Sequence, residues 1–120
     1  IKENQKGTFA IELSKSGKKK IIEYDLDKLK INPMKKWDGK WRFIMFDIPN
    51  KHKMRSNVLR EKLKELEFYQ YQKSVWIHPY PIEEEMEFIS QIFEVRPFIK
   101  LGEISALDNE YKLKKKFKLF

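Results

Sequence analysis

The chain has 120 residues, 41% of them hydrophobic and 14% aromatic, with a formal net charge of +8 and no cysteine. That length supports one good core and little more, and the missing thiols exclude disulfides, cysteine-type zinc sites and thiol catalysis while fitting a reducing, cytoplasmic setting. No apolar run approaches the roughly 18 residues of a membrane span and no charged-then-apolar leader opens the chain, so no membrane partner is expected.

The start at Ile1 rather than Met suggests a piece of a longer protein. Thr8 to Leu13 alternates Phe9, Ile11 and Leu13 with Ala10 and Glu12, the pattern of a half-buried strand. A lone strand leaves its backbone groups unpaired, so it must join the main sheet, pair with another copy, or survive as the edge of a truncated domain. Ser14-Lys15-Ser16-Gly17 then reads as a turn. It leads into a helix over Lys18 to Leu29, where Ile21, Ile22, Leu26 and Leu29 recur at helical spacing and either serine can cap. Strand, turn and basic helix is how a winged-helix domain ends; a solvated, Lys-rich connector is the plainer reading. Residues 1–36 carry ten Lys against five acids, and Pro33 breaks the helix at a domain boundary.

Trp37 and Trp41 flank Asp38-Gly39-Lys40, where large amphipathic rings serve to plug a linker onto a core. Trp41 to Phe46 is a central strand, apolar on both faces, with Trp41, Phe43 and Met45 pointing one way and Ile44 and Phe46 the other. It delivers Asp47 at its carboxyl end, where sheets of α/β type place their chemistry. A basic amphipathic helix follows over Lys51 to Glu67, with Met54, Val58, Leu59, Leu63 and Leu66 on one stripe. Phe68 to Gln72 and Ser74 to His78 make a hairpin. The next helix is entered through Pro81, buries Ile82, Met86, Ile89 and Phe93, and holds Glu83, Glu84 and Glu85 where the helix dipole favours negative charge. Pro97 to Ser105 is the last strand, and Asp108 to Phe120 is a basic tail that either forms a short helix or frays.

The order from Trp41 to Ser105 is therefore β-α-β-β-α-β, an α+β ferredoxin-like fold with a four-stranded antiparallel sheet, both helices on one face, and an N-terminal strand-helix appendage. The expected division is 1–36, a winged-helix remnant and linker; 37–107, the ferredoxin-like domain; and 108–120, the tail. The helix-free face carries either Ile44 and Phe46 or Phe43 and Met45. So much apolar surface calls for a sheet-to-sheet homodimer, assigned to Ile44, Phe46 and Trp76, or for a docked N-terminal helix. Residues 40–73 hold nine Lys or Arg against four acids and residues 82–107 two against six, an orienting field for a polyanion. Lys18, Lys19, Lys20, Lys51, Lys53, Arg55 and Arg60 are the candidate nucleic-acid contacts.

Phe43-Ile44-Met45-Phe46-Asp47-Ile48, the basic helix, and Gln72-Lys73-Ser74-Val75-Trp76 resemble the Cas-two family, the small CRISPR adaptation endonucleases. Trp37-Asp38-Gly39-Lys40-Trp41-Arg42, Phe46-Asp47-Ile48-Pro49 and Ser74-Val75-Trp76-Ile77-His78-Pro79 resemble, more closely, the central domain of PaaX-type transcriptional repressors. That second resemblance implies a dimeric regulator with DNA as partner and no cofactor. The first implies a magnesium-dependent nuclease in which Asp47 of two subunits would share the ion and catalyse phosphodiester hydrolysis. Pro49 and the absence of a second acid after Asp47 depart from the nuclease pattern. In the plainer reading Asp47 caps the following helix or braces the dimer. His52 and His78 show no ligand spacing, and His78 is expected to pack at a strand end.

Overall fold

The described chain runs β1 (Lys2–Glu3), β2 (Thr8–Lys15), β3 (Lys18–Asp25), β4 (Trp41–Phe46), α1 (Lys53–Glu65), β5 (Tyr69–Gln72), β6 (Val75–His78), α2 (Glu83–Ile92), β7 (Ile99–Ile104) and α3 (Glu110–Lys116). These assignments come from a computed structural model that describes residues 2–3, 8–15 and 17–120. Ser16 and the side chains of Leu13, Ser14 and Lys15 lie outside the described residues, and with them the expected serine cap. No described helix is long and apolar enough to cross a membrane.

Four strands form an antiparallel sheet in the order β5-β6-β4-β7, so β4 is an inner strand with β6 and β7 on its flanks. This is the ferredoxin-like arrangement. Along β4 the side chains alternate between two buried environments, which is why the strand is apolar on both sides. Ile44 and Phe46 join Leu59 and Leu63 of α1, Met86 and Ile89 of α2, and Trp76 in the main core. Trp41 faces the other way and joins Ile77 and Leu113 in a second cluster, with Trp37, Phe43, Phe117 and Leu119 around it.

Two expectations are corrected. Lys18 to Asp25 is a strand, not a helix: β3 pairs with β2 over its whole length, from Thr8 opposite Asp25 to Lys15 opposite Lys18. The reversal passes through Gly17 at φ +73, a backbone conformation that glycine adopts without steric cost. Ile22 meets Ile11, and Tyr24 meets Phe9, directly across the ladder. The period that decides is thus two, and helical spacing of Ile21, Ile22 and Leu26 was incidental. Ile21 is 72% exposed because it points away from the core. Second, Ile44, Phe46 and Trp76 are not on the helix-free face. They are buried beneath the subunit's own helices, and a sheet-to-sheet interface cannot be made of them.

The hairpin shares the core of the main domain. Ile11, Ile22 and Leu29 belong to the same buried cluster as Ile44 and Leu63, and Phe9 and Tyr24 meet Phe88 of α2 edge-on, with ring centroids 6.4 and 5.1 Å apart. The helix-free face is covered partly by α3, which buries Leu113, rather than by an N-terminal helix. Met45, at the far end of that face, stays 38% exposed.

Candidate nucleic-acid interface

The Trp-Asp-Gly-Lys-Trp-Arg stretch explains itself residue by residue. Arg42 sits inward on β4 with only 7% of its surface exposed. A buried guanidinium must be paired and hydrogen-bonded to be tolerated. Asp38 supplies the pairing, accepting from Nη1 at 2.9 Å and Nη2 at 2.6 Å, and Nη1 also donates to the Pro79 carbonyl at 2.8 Å. Asp38 can reach because Gly39 turns at φ +83 and the Lys40 amide donates to Asp38 Oδ1 at 3.1 Å. Trp37 Nε1 donates to the Lys40 carbonyl, and Trp41 Nε1 to Glu110 of α3 at 3.0 Å. The motif is a clamp holding the linker and the tail on the sheet. The hydrogen bonds from Arg42 hold the Asp38 carboxyl below its ordinary range.

Asp47 follows β4, its amide donating to the Phe98 carbonyl at 3.0 Å and its side chain exposed. It caps neither the turn at Asn50–His52 nor α1, neither of which has a side-chain cap. Among the described residues no three His, Asp or Glu side chains converge where they could hold a metal ion.

The seven basic residues singled out from sequence separate into three groups. Lys18, Lys19 and Lys20 are exposed on the tip of the β2-β3 hairpin, where Lys19 lies 3.6 Å from Glu12 and Lys20 pairs with Glu84. Lys51 and Lys53 are exposed beside the start of α1. Arg55 and Arg60 are committed to the fold: Arg55 pairs with Glu94 at 3.2 Å, and Arg60 stacks over the Phe46 ring at 5.1 Å. The first two groups lie at opposite ends of the sheet. Lys20 is held by the first turn of α2, which follows the His78 end of β6, whereas Lys51 follows the Phe46 end of β4; a six-residue strand, about 20 Å, lies between.

The Glu triplet has a second use that the helix dipole did not disclose. Glu84 holds Lys20 and accepts weakly from the Tyr24 hydroxyl at 3.4 Å, and Glu85 is 8% exposed beneath the same ring. Burial, reinforced by Glu85 and Glu84, pushes the Tyr24 hydroxyl up to about 12, and burial raises the Glu85 carboxyl in turn. The acidic turn is therefore a dock for the hairpin. Its sequence signal, three consecutive acids facing no visible cation, became readable only once β3 was known to be a strand. His78 is buried among Phe68, Tyr80 and Phe117 and accepts from the Tyr80 amide through Nδ1 at 3.2 Å. Burial lowers it to about 4, so it is a neutral packing residue at pH 7.

A family model described as the PaaX protein central Cas2-like domain matches residues 34–116. The chain belongs to the PaaX family. The match takes in the whole PaaX-type sheet, both of its packing helices and α3, and it leaves the lysine-tipped hairpin upstream. No curated protein and no solved structure matches this PaaX-type chain.

Proposed function

We propose that the chain is the dimerising, DNA-contacting part of a PaaX-like transcriptional regulator acting in the cytoplasm, with residues 1–36 closing a winged-helix unit, 37–107 forming the ferredoxin-like domain and 108–120 a basic tail. The observation that carries this reading is the lysine-tipped hairpin seated on a PaaX-type core. Lys18 and Lys19, with Lys20 held by Glu84, sit at the β2-β3 tip of a three-stranded sheet that Ile11, Ile22 and Tyr24 tie to the core. A rigid ribbon with a cationic tip suits phosphate contact, which positions a protein on a duplex without reading its sequence. Lys51 and Lys53 serve a second, separate contact. A homodimer built on the sheet uses the uncovered end of the helix-free face, around Phe43, Met45 and Val75.

The test is duplex affinity measured against salt. A steep slope, reduced by about two in Lys18→Gln/Lys19→Gln, supports the reading, and a flat slope in the wild type ends it. The competing nuclease reading is checked in the same tubes with magnesium present. Cleavage that disappears in Asp47→Ala replaces the regulator with an enzyme.

A further inference from the structure

A concavity of about 890 Å³ opens where the linker, the end of α1 and the tail meet. Four lysines from three distant segments line it: Lys30 from the linker, Lys64 from α1, and Lys116 at the end of α3 with Lys118 just after it. The sequence places Lys64 on a basic helix and Lys116 and Lys118 in a basic tail, but it does not show that they meet Lys30, which is 88 positions from Lys118. All four are exposed. Lys64 lies 3.4 Å from Glu61, Lys116 rests over the Phe117 ring at 5.8 Å, and Lys30 and Lys118 have no ion pair among the described residues. Of the two acids on the wall, Glu65 is turned toward Lys62 at 3.1 Å, which leaves Glu67 as the only one facing the groove without a cation of its own among the described residues. His78 and Tyr80 also line the groove, and His78 adds no charge because burial keeps it neutral.

We infer that this groove is a second phosphate-contact site, taking the sugar–phosphate backbone of a DNA duplex. The inference rests on the DNA-binding reading and extends it to residues that reading did not include. Charge complementarity selects the occupant: four lysines against two glutamates in one concavity, with Lys30 and Lys118 outside any ion pair among the described residues, match a polyanion rather than an apolar peptide or a second copy of a basic chain. Position supports it. His78 and Tyr80 stand at the end of β6 from which α2 departs, and the first turn of α2 holds Lys20 of the hairpin tip. Groove and tip therefore lie at the same end of the sheet, and one duplex can meet both, whereas Lys51 and Lys53 lie at the other end.

The experiment compares four forms of the chain for binding to a labelled random-sequence duplex across a salt series: the wild type; Lys30→Gln/Lys116→Gln/Lys118→Gln in the groove; Lys73→Gln/Lys100→Gln/Lys112→Gln, an equal charge change at exposed positions outside it; and Lys18→Gln/Lys19→Gln at the tip. All eight substituted lysines are exposed, so every form is expected to melt with the wild type. The groove variant should lose about two to three from the salt slope and at least about tenfold in affinity at 0.1 M salt, with a clearly smaller loss in the control. Equal losses in groove and control variants overturn the site, because net charge alone then explains binding. A loss confined to the tip variant removes the groove and leaves the regulator reading standing. No binding by the wild type removes both. A final arm replaces chloride by inorganic phosphate at matched ionic strength: specific displacement of the duplex by phosphate, absent from the groove variant, would make the groove a small-anion pocket and overturn the inference.

Discussion

Replacing Asp38 with Ala is the sharpest probe of how the linker is held. The substitution strips the Arg42 guanidinium of two charge-assisted hydrogen bonds at 2.9 and 2.6 Å while leaving it buried. Each such bond is worth about 1.5–3 kcal/mol. The two side chains are not equally dry, however: 8% of Arg42 is exposed against 31% of Asp38. Water entering the vacated position recovers part of the loss, so the net cost is about 2–3 kcal/mol. A domain of this size loses about 3–6 °C of Tm per kcal/mol, so Asp38→Ala should melt roughly 10 °C below the wild type. Asp38→Asn keeps one acceptor and should fall between them. The carboxyl adds a pH signature. Its folded pKa lies below the ordinary 3.8, so its contribution is complete above that value and is lost as pH falls through the folded pKa. Acid should therefore narrow the gap between wild type and variant below about pH 4. Thermal melts from pH 2.5 to 7, with hydrogen exchange over residues 34–41, measure both effects. An Asp38→Ala variant melting within about 2 °C of the wild type, or a gap that does not change with pH, would refute the clamp.

Three further outcomes follow from particular contacts. A Cβ on Gly102 would lie 2.5 Å from the Phe43 ring, so Gly102→Val should cost about 1–3 kcal/mol by denaturant titration, and Phe43→Ala should relieve part of the cost in the double variant. His78 has a folded pKa near 4 against an ordinary 6.5. The neutral form is the folded one, so stability is full above about pH 6.5 and falls by up to about 3 kcal/mol as pH drops toward 4, a slope that His78→Gln should flatten. Ile44→Glu should unfold the chain, since it places a charge among Leu59, Leu63 and Met86. Met45→Glu should fold normally and, if the open end of the sheet joins two copies, sediment as a monomer; an unchanged dimer would move the interface elsewhere.

The central domain was legible because its signals reinforce one another. Trp41 to Phe46 is too short and too apolar for a surface helix, the Asp-Gly and Ile-Pro pairs bound it, and the helices on either side of the β5-β6 hairpin each carry an apolar stripe, although of the stripe expected for α1 Leu59, Leu63 and Leu66 are buried while Met54 and Val58 are exposed. Two features were hidden for different physical reasons. In Lys18 to Leu29 Ile22 and Leu29 are buried and Tyr24 and Leu26 pack partly against the core, while lysines elsewhere leave both periods weakly marked. The decisive fact, the pairing of Ile22 with Ile11, lies across the turn and not within the segment. The facing of β4 was hidden because both of its surfaces are apolar. A strand covered on one side by α1 and α2 and on the other by α3 reads the same whichever side is which, and the choice of Ile44, Phe46 and Trp76 as an interface fell on the wrong one.

The clamp and the hairpin dock together decide how the cationic surfaces relate. Tyr24, Glu84 and Glu85 hold β3 against α2 near the tip lysines and so restrict their position relative to the groove. Because Ile11, Ile22 and Leu29 enter the core that also contains Leu59 and Leu63, the ribbon and the sheet form one body. Arg42 and Asp38 do the same for the segment carrying Lys30, and the Trp41 contact to Glu110 does it for the segment carrying Lys116. Contacts that bear no charge to the surface thus set the spacing of those that do. Loosening the dock with Tyr24→Ala should weaken duplex binding without removing a single lysine. It should do so by raising the entropic cost of ordering the tip, which leaves the salt slope unchanged. Affinity measured over a salt series tests this, and a change of slope equal to that of Lys18→Gln/Lys19→Gln would show that the dock acts on the lysines directly.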